Sequence, residues 1–151
     1  LALSAAKSAR DIYVKKGVVT KTLLALISSK IVDDISQKSK LKLTSELSSN
    51  VDIFSKEAFN RYHSIIVSNN GIIKKDQKNI LVPIGVDPES VDIFLMNILH
   101  AFGARRGEVA HKFRVQRTET LTAVETELTT IVKNIIAYDQ AVCEALKLRM
   151  K

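Results

Sequence analysis

The chain has 151 residues, 46% hydrophobic and 26% charged. That is apolar mass enough for one sizeable core, and it excludes wholesale disorder. Five glycines and two prolines are too few for the turns of a sandwich or barrel, so the expected fold is all-α, one domain over 1–151. The single cysteine, Cys143, excludes an intramolecular disulfide and a thiolate metal cage, and it suits a reducing, cytoplasmic setting.

In chain order, residues 1–16 read as a helix with Leu3, Ala6, Ile12 and Tyr13 apolar, interrupted by Gly17. Thr20 is a candidate N-cap for a second helix to about Gln37, carried by Leu23, Leu24, Ile27, Ile31 and Ile35. Residues 38–50 have room for a short helix. Ser55 is a candidate cap for a helix from Lys56 to Val67, with Phe59, Tyr62, Ile65 and Ile66 inward. Asn69-Asn70-Gly71 marks a turn. Residues 71–85 show no helical period, Ile80-Leu81-Val82-Pro83 reads as extended chain, and 69–86 is expected to be the longest stretch with little helix. Asp87-Pro88-Glu89 is a helix start: a capping acid, proline in the first turn, then a second acid near the positive end of the dipole.

The helix from Pro88 carries the stripe Val91, Phe94, Leu95, Ile98, Leu99 and Phe102. Extending that stripe puts Arg105 or Arg106 where an aliphatic residue is expected, unless Gly103 ends the helix. His100 falls on its polar side, as a surface residue. Residues 118–146 carry the longest stripe, through Leu121, Val124, Leu128, Ile131, Ile135, Tyr138, Val142 and Ala145. They are expected to form the longest helix, with Leu128, Ile131 and Ile135 buried and a polar face at Thr122, Thr126, Thr129 and Thr130.

The net charge of +7 is unevenly placed. Residues 81–100 hold three acids and no base, whereas 101–117 hold five bases (Arg105, Arg106, Lys112, Arg114 and Arg117) against one acid, Glu108. Such a knot attracts phosphates. Three scattered histidines offer no metal-ligand spacing. No glycine pattern forms a phosphate loop, and no serine sits in a nucleophile elbow.

Arg106-Gly107-Glu108-Val109-Ala110-His111 is Arg, four residues, His, closing an apolar helical segment and followed by a loop and a long amphipathic helix. With Pro83-Ile84-Gly85, Val91-Asp92, Leu99 and Phe102-Gly103, it resembles the HEPN superfamily, and the RiboL-PSP-HEPN branch in particular, over residues 80–143. The resemblance implies a bundle of five or six helices with a long C-terminal helix. It implies a metal-independent, cofactor-free endoribonuclease with Arg106 and His111 catalytic, cleaving through 2′-hydroxyl attack to 2′,3′-cyclic phosphate ends. Such a domain suits a toxin or defence effector, here read as a fragment of a longer chain. Gly107 stands where many members carry a polar residue; Arg105, as a phosphate contact, and Glu108, as an orienting group, are candidates to fill that gap. Lys112, Arg114 and Arg117 complete the RNA-binding set. The implied partner is a second copy, sharing a composite site. Two other readings stand beside it: a non-catalytic HEPN module binding RNA, a nucleotide or a protein, and a plain helical domain whose basic surface meets an acidic partner.

Overall fold

A computed structural model describes residues 1–35, 51–111 and 120–147, and these form an all-α fold. Helix α1 (Ala2–Lys16) ends where Gly17 takes the left-handed conformation, φ 64°, and returns its N–H to the Tyr13 carbonyl. Its buried residues are Ala5, Ala6 and Ala9, small side chains that let neighbouring helices approach. Helix α2 (Lys21–Ile35) starts as expected: the Thr20 hydroxyl accepts the Leu23 N–H at 3.2 Å. Leu23, Leu26 and Ile27 are buried. The possible helix over residues 38–50 lies outside the described residues.

Helix α3 (Val51–Ser68) includes five residues before the expected start at Lys56. Ser55 is not its cap. It is buried inside the helix and donates to the Asp52 carbonyl, because the inward stripe is Phe54, Ala58 and Tyr62. Phe59, Ile65 and Ile66 are only partly buried.

The expectation of an unhelical stretch over 69–86 is overturned. Helix α4 (Lys74–Leu81) is followed by a 3₁₀ turn, Val82–Ile84, so the chain at Ile80 and Leu81 is helical rather than extended. The Asp76 carboxylate caps α4 by accepting the Ile73 N–H at 3.1 Å. Buried Gln77 then ties the helix inward, donating to the carbonyls of Ile72 (2.8 Å) and Met96 (3.1 Å). Its own carbonyl accepts from the Tyr138 hydroxyl at 3.1 Å. The Tyr62 hydroxyl donates to the Ile80 carbonyl at 2.7 Å. Tertiary hydrogen bonds hold this short helix, and its own sequence carries little of that information.

Asp87 caps as expected, accepting the Glu89 N–H at 3.1 Å, but the helix it starts, α5 (Pro88–Val91), is a single turn. Asp92 is extended and caps the next helix, α6 (Ile93–His111), through the Leu95 N–H at 2.9 Å. Neither Gly103 nor Gly107 ends α6, which at 19 residues is the longest continuous helix among the described residues.

The C-terminal stripe forms a long helical segment interrupted at Ile135 into α7 (Leu121–Asn134) and α8 (Ile136–Lys147). Helix α8 puts buried residues into the main core, where Tyr138, Val142 and Ala145 meet Ala5, Leu26, Tyr62, Ile84 and Leu95, while α7 touches that core through partly buried Ile131. Helix α7 packs beside α6 and buries no residue fully. Leu128 and Ile135, expected inside, are 42% and 39% exposed, and Ile131 is partly buried. The cause is rotational. Leu121, Leu128, Val132 and Ile135 fall within about 60° of one another, while the less exposed Val124, Glu127, Ile131 and Asn134 centre about 90° round the helix.

Candidate nucleic-acid interface

At 100° per residue, Leu95, Leu99, Phe102 and Arg106 share one line along α6. Leu95 and Leu99 are buried and Phe102 partly so, but Arg106 is exposed, because α6 outruns the body that the stripe packs on. Phe94, Ile98 and Arg105 make a second line about 100° away. The two arginines therefore leave α6 in different directions and meet different partners.

Arg105 faces α7 and forms an ion pair with Glu127. The pair lines an open groove of about 580 Å³, together with Phe94, Ile98, Ala123, Thr126 and Thr130. The threonine hydroxyls turn back on their own helix: Thr126 donates to the Thr122 carbonyl at 2.8 Å and Thr130 to the Thr126 carbonyl at 2.9 Å. The expected polar face thus forms, with Thr122, Thr126 and Thr129 exposed.

Arg106 donates instead to the backbone carbonyl of Asn70, a neutral acceptor. Among the described residues no acid pairs with it. A guanidinium beside a carboxylate has its charge largely compensated, whereas one beside a carbonyl keeps it. Arg106 is the arginine whose field faces solvent.

Glu108 is exposed and lies about 160° round the helix from Arg106. The backbone does not bring those two together; Glu108 shares a side of α6 with Arg105 instead. His111 is the last described residue of α6, and its side chain lies outside the described residues, as do Lys112, Arg114 and Arg117. Its backbone position is five residues beyond Arg106, about 140° around a continuous helix.

His100 is a partial correction: its Nδ1 accepts the Lys74 N–H at 3.4 Å, so it joins α6 to the start of α4 rather than simply facing water. His63 is exposed, its ring 6.2 Å from that of Phe59. Cys143 is exposed. Among the described residues no group of His, Cys, Asp or Glu is placed to hold a metal ion, and no helix is long and apolar enough to cross a membrane.

Burial raises the Tyr62 phenol well above its usual range. Tyr138 is pushed up to about 12, by burial first and then by the charges of Asp92 and Asp87. Both stay protonated donors that brace α4 behind the site.

Sequence reasoning missed three participants. Glu127 was one acid among threonines, with no sign of which base it would meet. Asn70 contributes a carbonyl, which every residue has. Phe94 was read as stripe and is 59% exposed in the groove. No family model, curated protein or solved structure matches the chain.

Proposed function

We propose that this chain is a HEPN-like, metal-independent endoribonuclease domain working in the cytoplasm as a toxin or defence effector. The observation that carries the reading is Arg106: exposed in the last described turns of α6, held by a neutral carbonyl, and followed five residues later by His111 on the same helix. In this chemistry the RNA 2′-hydroxyl attacks the adjacent phosphorus and the O5′–P bond breaks. The proton lost from the 2′-oxygen and the proton gained by the leaving oxygen pass through His111, whose residue type titrates near neutrality. Arg106 holds the charge developing on the phosphate oxygens. Arg105, Lys112, Arg114 and Arg117 are the proposed further contacts along the strand, and Glu108 the proposed orienting group for a neighbour.

Positions 106 and 111 diverge by about 140° on α6, so one helix does not aim both side chains at one phosphate. We therefore place the site between two copies related by a two-fold axis, each supplying its motif to a shared cleft. Val109, apolar and 53% exposed between the two positions, suits such an interface.

The test is incubation of the purified chain with single-stranded RNA in chelator. Wild type is expected to yield 2′,3′-cyclic phosphate ends. Arg106→Ala and His111→Ala are each expected to lose about a hundredfold or more in rate, with His111→Ala retaining RNA binding. Cleavage that survives both substitutions, or a wild-type chain that cleaves nothing, rejects the enzymatic reading. A second reading, a non-catalytic RNA-binding module, is favoured by Gly107, which sets no side chain in the open space beside Arg106 where a polar group would help to hold the phosphate. It predicts salt-sensitive RNA binding, with a log–log slope of roughly −3 for four or five contacts, and no cleavage.

A further inference from the structure

Residues 70–74 run along α6 in the opposite direction, and their contacts fall on one face of that helix at three-residue intervals. His100 Nδ1 accepts the Lys74 N–H at 3.4 Å. Gly103 faces Ile72 so closely that a Cβ there would lie 2.8 Å from Ile72 Cγ1 and 3.3 Å from the backbone nitrogen of Ile73. Arg106 donates to the Asn70 carbonyl. The same stretch is tied from its other side. Gln77 donates to the Ile72 carbonyl at 2.8 Å, Asp76 accepts the Ile73 N–H at 3.1 Å, and the Asn69 side chain donates to the Gly71 carbonyl at 2.8 Å. The carbonyl that meets Arg106 therefore belongs to a braced segment.

We propose that residues 70–74 are a strap that positions the Arg106 guanidinium for a phosphate, and that Gly103 is the clearance that lets the strap lie against α6. This rests on the reading of Arg106 as a phosphate contact and adds how its aim is set. An arginine at an exposed helix end samples many rotamers, and each must be given up when an anion binds. A fixed neutral acceptor takes one of its five N–H donors, restricts the side chain beforehand and leaves the charge intact. A carboxylate in the same place would restrict it equally but cancel the field that an anion needs, as Glu127 does for Arg105. Glycine at 103 is thereby explained without any role as a helix terminator.

The experiment follows the Arg106 Nε–Hε resonance of the ¹⁵N-labelled chain during titration with inorganic pyrophosphate. Gly103→Ala pushes the strap away and is expected to weaken pyrophosphate binding about tenfold and to shift the free-state resonance. Ile72→Ala added to it removes the clashing Cγ1 and is expected to restore affinity to within about threefold of wild type. Should Gly103→Ala not fold, His100→Ala loosens the Lys74 end of the strap, with an expected weakening of about threefold. Unchanged affinity in the variant that folds overturns the strap, and so does a Gly103→Ala loss that Ile72→Ala fails to relieve. A wild-type resonance that does not respond to pyrophosphate overturns the phosphate contact and the strap with it. Failure of RNA cleavage with the pyrophosphate response and its rescue intact rejects the ribonuclease reading alone.

Discussion

Among the charge bridges between described helices, two differ sharply in what surrounds the charges. Between α2 and α3, Lys30 binds Asp34 at 2.5 Å, Asp34 accepts from Arg61 at 3.2 Å, and Lys30 also reaches Glu57 at 3.4 Å. The Lys30 and Asp34 side chains are 8% and 9% exposed, with the ammonium 4.4 Å from the centre of the Phe54 ring. Leu23, Leu26 and Ile27 of α2 are buried around them. Between α6 and α7, Arg105 meets Glu127 at 38% and 23% exposure, beside an open groove and a helix that buries nothing fully. The first pair of helices is joined by apolar burial, with opposite charges paired inside it. The second is joined across a partly exposed ion pair and a partial apolar contact. Stability resides in the first and accessibility in the second, and the candidate site lies at the accessible end.

The largest expected difference comes from removing one partner of each bridge. Asp34→Ala leaves Lys30 buried with Glu57 and takes an acceptor from Arg61. It is expected to cost about 3 kcal/mol or more in urea unfolding. Replacing both ions, as Lys30→Met with Asp34→Leu, is expected to fall much nearer wild type, because no unmatched charge stays inside. A double variant as unstable as Asp34→Ala would break the account of the α2–α3 interface.

Next in size is a matched leucine pair. Leu26 is 2% exposed in the core and Leu128 is 42% exposed on α7. Leu26→Ala is expected to cost about 2–5 kcal/mol and Leu128→Ala under about 1 kcal/mol. Equal losses would mean that the α7 stripe is covered in solution, as by the second copy invoked for the site. Sedimentation of wild type beside Leu128→Ala distinguishes those cases.

Alkali offers a third contrast. Tyr138 is neutral in the fold up to about 12 but ionises near 10 when unfolded. The folded state binds the proton more tightly, so this contribution is whole below pH 10 and is lost as pH rises from 10 through 12. Tyr138→Phe is expected to flatten the fall in stability across that window. A variant whose stability falls as steeply as wild type would remove Tyr138 from the brace behind α4.

These contrasts also separate what could be read in the sequence from what could not. Caps at Thr20 and Asp87 were legible because a capping side chain and its target N–H are two or three residues apart. The all-α class followed from periodicity and scarce turn residues. Helix α4 was illegible because its ties are non-local: Gln77 meets Met96 and, 61 residues on, Tyr138. The outward turn of Leu128 and Ile135 was illegible for a related reason, since periodicity gives a stripe but not the direction in which it faces. In the candidate site, the breach of the α6 stripe by arginine was visible, and so was the Arg106–His111 spacing. Which arginine keeps its charge depended on Glu127 and on a backbone carbonyl at 70, and neither leaves a local mark.

The smallest expected effect is at the second bridge itself. Glu127→Gln removes the charge that compensates Arg105 while keeping side-chain size and a hydrogen-bond acceptor. Both partners are partly solvated, so the lost attraction is screened, and stability is expected to change by less than about 1 kcal/mol. The consequence for binding runs the other way. With the Glu127 charge gone, Arg105 shows more of its cationic field beside that of Arg106, and affinity for single-stranded RNA is expected to rise about two- to fivefold at low salt and to return to wild type as salt screens it. A loss of several kcal/mol on Glu127→Gln would show that α6 and α7 depend on this pair, and the contrast with α2 and α3 would collapse. No gain in RNA affinity, with stability unchanged, would place Arg105 outside the path of the strand and leave Arg106 as the anion contact of this helix among its described residues.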